Sequence, residues 1–424
     1  MSAAASAQLR AIATRSGLSP WQLGGKELLP IVQGGMGVGV SAGGLAGTVA
    51  NLGAIGTISS VDLRRHHSDL MLAAMEAARE ADSKARIDAA NLEALGREIA
   101  RARKLAGAHG LVAVNVMKAV MEYEHYVRHA LACGIDAVVM GAGLPLDLPE
   151  IARDYPKVAL VPILSDARGV QLVMRKWEKK GRLPDAIVIE NPRLAGGHLG
   201  AAKIAEVEDR RFDFDMVLPQ VRAFLRSAGL DGQIPLIAAG GVSCLEDIRR
   251  LQALGAAAVQ LGTAFAVTEE SDAHPEFKRI LAGAKPEDIV EFTSVAGLPA
   301  RAVRTPWLDK YLRQEAKLKA KAHVQPCHQS FDCLAHCGLR DGIAEWGQFC
   351  IDKHLGHALA GQVNQGLFFR GAGRVPFGTQ IRPVRELVEW LLGGILPPGV
   401  VENEIDGWAT PVRMEALLET ELEA

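Results

Sequence analysis

Two short apolar runs constrain this chain more than any other feature. Ile234-Pro-Leu-Ile-Ala-Ala-Gly-Gly-Val242 ends in a glycine pair, and Ala257-Ala-Val-Gln-Leu-Gly-Thr263 ends in Gly-Thr. Each has the length of a buried strand. Between them Leu245, Ile248, Leu251 and Leu254 recur at three-residue steps, which is one face of a helix, and Gly255 supplies its C-terminal stop. The unit reads strand, Gly-Gly turn, helix, strand, Gly-Thr turn. Glycine at a strand end lets backbone N–H groups approach a ligand that a Cβ would hold off. In a barrel of eight β-α units, the loops after the last two strands commonly bind phosphate. Gly240, Gly241, Gly262 and Thr263 are therefore candidate phosphate-cradle residues; the alternative is a pair of ordinary glycine turns.

Six further runs of the same kind precede these two: 28–33, 54–58, 110–115, 137–141, 158–163 and 185–189. They are apolar with little polar alternation, as strands of a parallel sheet covered on both faces are. Most lie roughly 22–27 residues apart, the size of a β-α unit. The pattern predicts an α/β fold, a (β/α)8 TIM barrel over residues 1–264, with insertions after the second and sixth strands. The stretch 64–108 is dense in Ala, Glu and Arg and predicts more than one helix. An open doubly wound sheet is the alternative, but Gly34-Gly-Met-Gly-Val-Gly39 does not match the dinucleotide pattern G-x-G-x-x-G. Residues 265–424 change in character and read as a helical cap on the barrel, with a basic helix over 306–321 and another helix over 384–392.

Composition excludes several classes of function. Charged residues make up 23% of 424 and the net charge is −2, which argues against a nucleic-acid partner. No apolar run nears the roughly 18 residues of a membrane helix. The N-terminus lacks the basic start and apolar segment of a secretory signal. The expectation is a cytoplasmic protein with a small-molecule substrate, no membrane association, and a homodimer as the candidate assembly.

Pro30-Ile-Val-Gln-Gly-Gly-Met36, Asn115, Ala195-Gly-Gly-His-Leu-Gly200, Ile237-Ala-Ala-Gly-Gly-Val242 and Gln260-Leu-Gly-Thr263 fall in order at the ends of the first, third, sixth, seventh and eighth strands. This arrangement resembles the nitronate monooxygenase (2-nitropropane dioxygenase) family of FMN-dependent barrels, whose relatives include flavin-dependent enoyl-acyl-carrier-protein reductases. The resemblance covers roughly residues 26–305. It implies FMN, with its phosphate at Gly240, Gly241, Gly262 and Thr263, Asn115 and Gln260 contacting the cofactor, and Met36 with Gly34 and Gly35 against the ring. Gln33, Asn115 and Gln260 are neutral amides at strand ends, where barrel sites are built, and can hydrogen-bond a flavin edge without charging it. A lone strand-end amide is otherwise a residue that satisfies backbone groups.

His198 is the candidate catalytic residue. Gly196, Gly197 and Gly200 let its loop turn tightly, and histidine exchanges a proton near neutral pH. In the monooxygenase reading it deprotonates a nitroalkane or binds the anionic nitronate. In the reductase reading it protonates or orients an enoyl thioester. The alternative is a structural loop histidine. Glu190 opens the same loop and is a weaker candidate for orienting its backbone. His66, His67, His125 and His129 are expected in solvent.

Four of the six cysteines, Cys327, Cys333, Cys337 and Cys350, lie within 24 residues with the spacing C-x5-C-x3-C-x12-C. In a cytosolic chain such grouping favours a metal over disulfides. The loop resembles the [4Fe-4S] loops of old-yellow-enzyme relatives such as dienoyl-CoA reductases, and its long first interval resembles that of glutamate synthase. An iron–sulfur cluster is expected, [4Fe-4S] before [3Fe-4S], with zinc or unligated thiols as alternatives. A cluster would imply an electron-transfer partner.

Overall fold

The computed structural model describes residues 3–77 and 82–400. Residues 78–81 of the expected helical stretch and 401–424 of the expected cap lie outside the described residues. Eight parallel strands close into a barrel: β1 Ile31–Gln33, β2 Ile55–Ser59, β3 Leu111–Met117, β4 Ala137–Gly141, β5 Ala159–Leu164, β6 Ile187–Glu190, β7 Leu236–Ala239 and β8 Ala258–Leu261. They follow chain order around the ring, and β8 returns to β1 with Val259 opposite Ile31 and Leu261 opposite Gln33. All eight are strands that the sequence predicts.

The strands carry few polar residues because both faces are buried. Val32, Ile55, Leu111, Ala113, Val139, Val161, Val188 and Ile237 fill the barrel interior. Their neighbours one position away, such as Ile31, Val112, Val138, Leu160, Ile187 and Leu236, pack outward against the helices. A hairpin, Trp21–Leu23 with Lys26–Leu28, joins the interior cluster through Trp21, Leu23 and Leu28. Gly56 in β2 is glycine because a Cβ there would sit 1.8 Å from the Ala46 carbonyl oxygen of helix Gly43–Asn51.

The two wide gaps hold insertions. After β2 come a short turn at Leu63–His66 and helices Ser68–Ala77 and Ser83–Ala106. After β6 the chain forms a two-residue strand, Gly197–His198, and two short helical turns before helix Phe214–Ser227.

The extension departs from the helical cap the sequence suggests. Ile289–Thr293 and Pro299–Val303 form an antiparallel pair, and Pro299–Val303 also pairs with Gly197–His198. The three strands make a sheet that ties the extension to the β6 loop. Helices Pro275–Gly283, Pro306–Lys319, Ile351–Leu359 and Val384–Gly393 also belong to the extension. Phe292, Leu308, Tyr311 and Phe349 form a second core; burying one such side chain stabilises by roughly 1.5–3 kcal/mol. The last helix returns to the N-terminal helix Ala3–Arg15, where Arg385 Nη2 donates to Gln8 Oε1 at 2.9 Å. Among the described residues, no helix is long and apolar enough to cross a membrane.

Candidate active site

The C-terminal ends of the barrel strands open into a cavity of about 630 Å³. Ser59, Asn115, Gly141, Leu164, Glu190, Ala239 and Gln260 line it from seven different strands. Gly34, Gly35, Met36, Gly196, Gly197, His198, Gly240, Gly241, Gly262 and Thr263 line it from the loops that follow. The structure thus brings together every expected cofactor and catalytic residue except Gln33.

Gln33 is a correction. Its side chain is fully buried and does not reach the cavity. Oε1 accepts from Thr57 N at 2.8 Å and Nε2 donates to Thr57 O at 3.1 Å, so the amide clamps β1 to β2. A strand-end amide can point inward or across to the next strand, and sequence does not distinguish the two.

Gly34 and Gly35 make room for the two remaining amides. A Cβ on Gly35 would lie 2.4 Å from Asn115 Cβ, and one on Gly34 would lie 3.2 Å from the Gln260 side chain. Asn115 Nδ2 donates to Val139 O at 3.3 Å. Gln260 Oε1 is buried without a hydrogen-bond partner. An unpaired buried acceptor costs free energy unless something donates to it.

The four cradle residues differ in kind. Gly240 and Gly241 have φ of +115° and +72°, and a Cβ on Gly241 would meet Leu194 Cδ1 at 2.6 Å. Their glycine character follows from backbone and packing. Gly262 has neither constraint: its φ is −105° and the nearest atoms to a Cβ are those of Met36 at 3.8 Å and beyond. The space beside it belongs to the cavity. Thr263 Oγ1 accepts from Gly371 N at 3.0 Å.

The extension supplies part of the wall. Phe369, Arg370, Gly371, Gly373 and Arg374 line the cavity, and Arg374 Nε donates to Ser243 Oγ at 3.1 Å beside the Gly240-Gly241 turn. Arg301, also from the extension, is buried; it donates to the carbonyls of Pro192 and Ala195 and pairs with Glu291. It fixes the loop that carries Gly196, Gly197 and His198. These residues were missed in sequence; the run Arg370-Gly-Ala-Gly-Arg374 was the available signal.

His198 packs against Phe369, ring centroids 5.7 Å apart, and its Nε2 lies 3.0 Å from Ser294 Oγ. Ser294 Oγ accepts from Ala296 N, leaving the hydroxyl proton free for His198 Nε2. Burial pushes the His198 pKa down to about 4, so the ring is neutral at pH 7. Burial pushes Glu190 the other way, up to about 7.

The remaining histidines correct the expectation in part. His125 is exposed, but His66 Nε2 lies 2.8 Å from Gly39 O and His67 Nε2 lies 3.0 Å from Glu98.

The cysteines are not gathered around a single metal-ion position. Among the described residues, no group of three or more His, Cys, Asp or Glu side chains is gathered to hold a metal ion, and all six cysteines are free. The spacing brings the loop together without closing the thiols on one point, as tetrahedral zinc requires. Burial raises the thiols of Cys333, Cys337 and Cys350, the last to about 12. Cys333 alone of the four lines the cavity.

A closed parallel barrel with a ligand-sized cavity over its strand ends, lined by glycine turns, neutral amides and one histidine, defines a small-molecule barrel enzyme. The nitronate monooxygenase family model matches residues 26–394, and the chain belongs to that family. It is 29% identical over 216 residues to a probable nitronate monooxygenase of Bacillus subtilis, covering 48% of this chain and 59% of the relative. It is 33% identical over 119 residues to nitronate monooxygenase of Pseudomonas aeruginosa, covering 28% and 31%. These matches span less than two thirds of the relatives' length. Among solved structures, FabK from Thermotoga maritima superposes with a TM-score of 0.59 at 21% identity, covering 93% of this chain and 96% of that one. Nitroalkane oxidase from Streptomyces ansochromogenes gives 0.55 at 22% identity, covering 86% and 94%. Both likenesses establish the fold.

Proposed function

We propose that this chain is an FMN-dependent oxidoreductase that oxidises nitronates and their parent nitroalkanes. One observation carries the reading: the open space beside Gly262, the unpartnered Gln260 Oε1 and the neutral His198 face the same cavity. The residues fit FMN. Its phosphate would be held by Gly240, Gly241, Gly262 and Thr263 with Arg374 as counter-charge. Its ring would lie against Gly34, Gly35 and Met36, with Asn115 and Gln260 at its edge. FMN, when bound, supplies the electron acceptor. His198 holds a nitro or nitronate oxygen through its protonated ring nitrogen, and Phe369 and Ser294 fix the ring. A cavity of this volume suits a cofactor together with a small substrate.

The test is anaerobic reduction of the purified holoprotein. Released flavin should be FMN, and a preformed alkyl nitronate should bleach it. Bleaching by a reduced nicotinamide cofactor, reversed by an enoyl thioester and not by nitronate, would favour a reductase instead.

The cysteine loop carries a separate proposal, an iron–sulfur cluster. Its support is that Cys327, Cys337 and Cys350 all lie near enough to act electrostatically on Cys333, and that Arg340 N donates to Cys337 Sγ at 3.4 Å. A cluster spreads its thiolates around several irons and needs no single ligand point. Anaerobically prepared protein should then hold about three or four irons per chain, with matching acid-labile sulfide. Protein without iron would leave four ordinary thiols and remove the case for an electron-transfer partner.

A further inference from the structure

We propose that Ser294 is the positioning residue of His198: its hydroxyl holds Nε2, so that Nδ1 is the ring nitrogen that meets substrate. The inference rests on the nitronate reading above and deepens it. Ser294 belongs to the extension, in the turn between the strands Ile289–Thr293 and Pro299–Val303, and it is fully buried. Its Oγ stands 3.0 Å from His198 Nε2. The ring lines the cavity, and among the described residues Nδ1 has no partner in the protein.

The serine is itself held in place. Its N donates to Leu298 O at 2.9 Å, and its O accepts from Gly297 N and from Gly347 N, each at 3.0 Å. Its Oγ accepts from Ala296 N at 3.2 Å. The same sheet fixes the backbone of the histidine: His198 is in register with Ala300, and Leu199 N donates to Pro299 O at 3.0 Å. Phe369, which packs on the imidazole, bridges to Ala302 of the same strand. Main chain, ring face and Nε2 of His198 are thus all set from the extension. A side chain held on every side but one presents that side to the cavity.

A hydroxyl suits this position. It has one proton and two lone pairs. With one lone pair engaged by Ala296 N, Oγ still donates to a bare Nε2 or accepts from Nε2–H. A carboxylate would only accept. The bond therefore fixes the orientation of the ring and leaves its tautomer free. When Nδ1 takes the α-proton of a neutral nitroalkane, the Cα–H bond breaks, its electron pair forms the C=N bond, and a nitro oxygen takes the negative charge. Nε2–H then donates to Ser294 Oγ. The product is the nitronate, whose oxygen the new Nδ1–H holds. A preformed nitronate needs only that last contact, whereas proton transfer needs an aligned ring.

The test compares native protein, Ser294→Ala and Ser294→Thr. NMR of FMN-free protein carrying isotope-labelled histidine reads the ring without turnover. Ser294→Ala should shift the His198 ring resonances and leave those of the other histidines in place. In FMN-loaded protein, the ratio of kcat/KM for nitroethane to kcat/KM for its nitronate should fall roughly two- to tenfold in Ser294→Ala, the scale of one net hydrogen bond. FMN affinity should be unchanged, and Ser294→Thr, which keeps the hydroxyl, should recover part of the ratio. Should Ser294→Thr fail to fold, the ratio in Ser294→Ala decides alone. Equal losses on both substrates, a fall in FMN affinity that accounts for the loss, or His198 resonances that stay in place would overturn the assignment. Native protein that oxidises no nitronate, with the His198 resonances still moved by Ser294→Ala, would instead sink the nitronate reading and leave Ser294 as the anchor of the histidine.

Discussion

Gly262 separates a ligand cradle from an ordinary turn. Nothing in the protein demands glycine there, so Gly262→Ala should fold normally, within about 0.5 kcal/mol of the native stability. Its added methyl points into the cavity and should weaken FMN binding at least roughly tenfold, about 1.4 kcal/mol. Urea unfolding of the FMN-free protein and flavin titration check the two halves. Unchanged affinity would show that the phosphate lies elsewhere. Glu190 and His198 leave opposite marks on stability. Histidine releases its proton near 6.5 when unfolded and near 4 here, so the unfolded chain binds more protons between those values. The His198 contribution is full above 6.5 and is lost as pH falls towards 4. Glu190 titrates near 4.5 unfolded and about 7 folded, so its contribution is full below 4.5 and is lost as pH rises through 7. In FMN-free protein, Glu190→Gln should therefore raise Tm at pH 8 by more than it does at pH 5. An equal shift at both values would place the carboxyl in ordinary solvent.

At the scale of elements, the eight barrel strands were legible because burial on both faces writes them as apolar runs, and the glycines after β7 and β8 marked turns that line the cavity. The strand Gly197–His198 was not legible. It exists through its pairing with Pro299–Val303, a contact about a hundred residues away. The pair Ile289–Thr293 and Pro299–Val303 falls in the stretch that reads as a helical cap, although Ala300 and Ala302 alternate with the clamp residue Arg301. Cysteine spacing showed that the thiols share a loop, but a spacing does not fix the point at which side chains converge. Arg301 tests how far the sheet controls the site. Arg301→Met keeps the length of the side chain and loses its hydrogen bonds to Pro192 O, Ala195 O and Glu291. Hydrogen bonds to charged groups contribute about 1.5–3 kcal/mol, so a loss of that order is expected in urea unfolding. Flavin affinity should fall with it, because the loop through Gly196, Gly197 and His198 loses its anchor. Loss of stability with flavin affinity intact would uncouple the loop from the site.

For the molecule as a whole, the extension behaves as wall rather than cap. Phe369, Arg370 and Arg374 stand at the cavity, Leu387, Val388 and Leu391 join the same core as the outward faces of the barrel strands, and the terminal helices meet. A fragment ending at residue 264 should therefore show no cooperative thermal unfolding and no FMN binding, whereas residues 1–400 should show both. A fragment 1–264 that folds and holds FMN would restore the division at 264.

The cavity wall runs from Gly34 to Arg374, so synthesis completes it only after all eight barrel strands are made. The chain leaves the ribosome from its N-terminus at roughly 5–20 residues per second, so on the order of ten seconds separates the emergence of Thr263 from that of Arg374. Until Pro299–Val303 emerges, all eight barrel strands exist while the edge formed by Gly197–His198 has no neighbour. A nascent barrel in this condition offers an unpaired strand and an open apolar mouth to other chains, and it has no complete seat for a cofactor. Flavin loading is thus expected once Arg374 has emerged, and cellular yield depends on how well that open mouth is shielded until then.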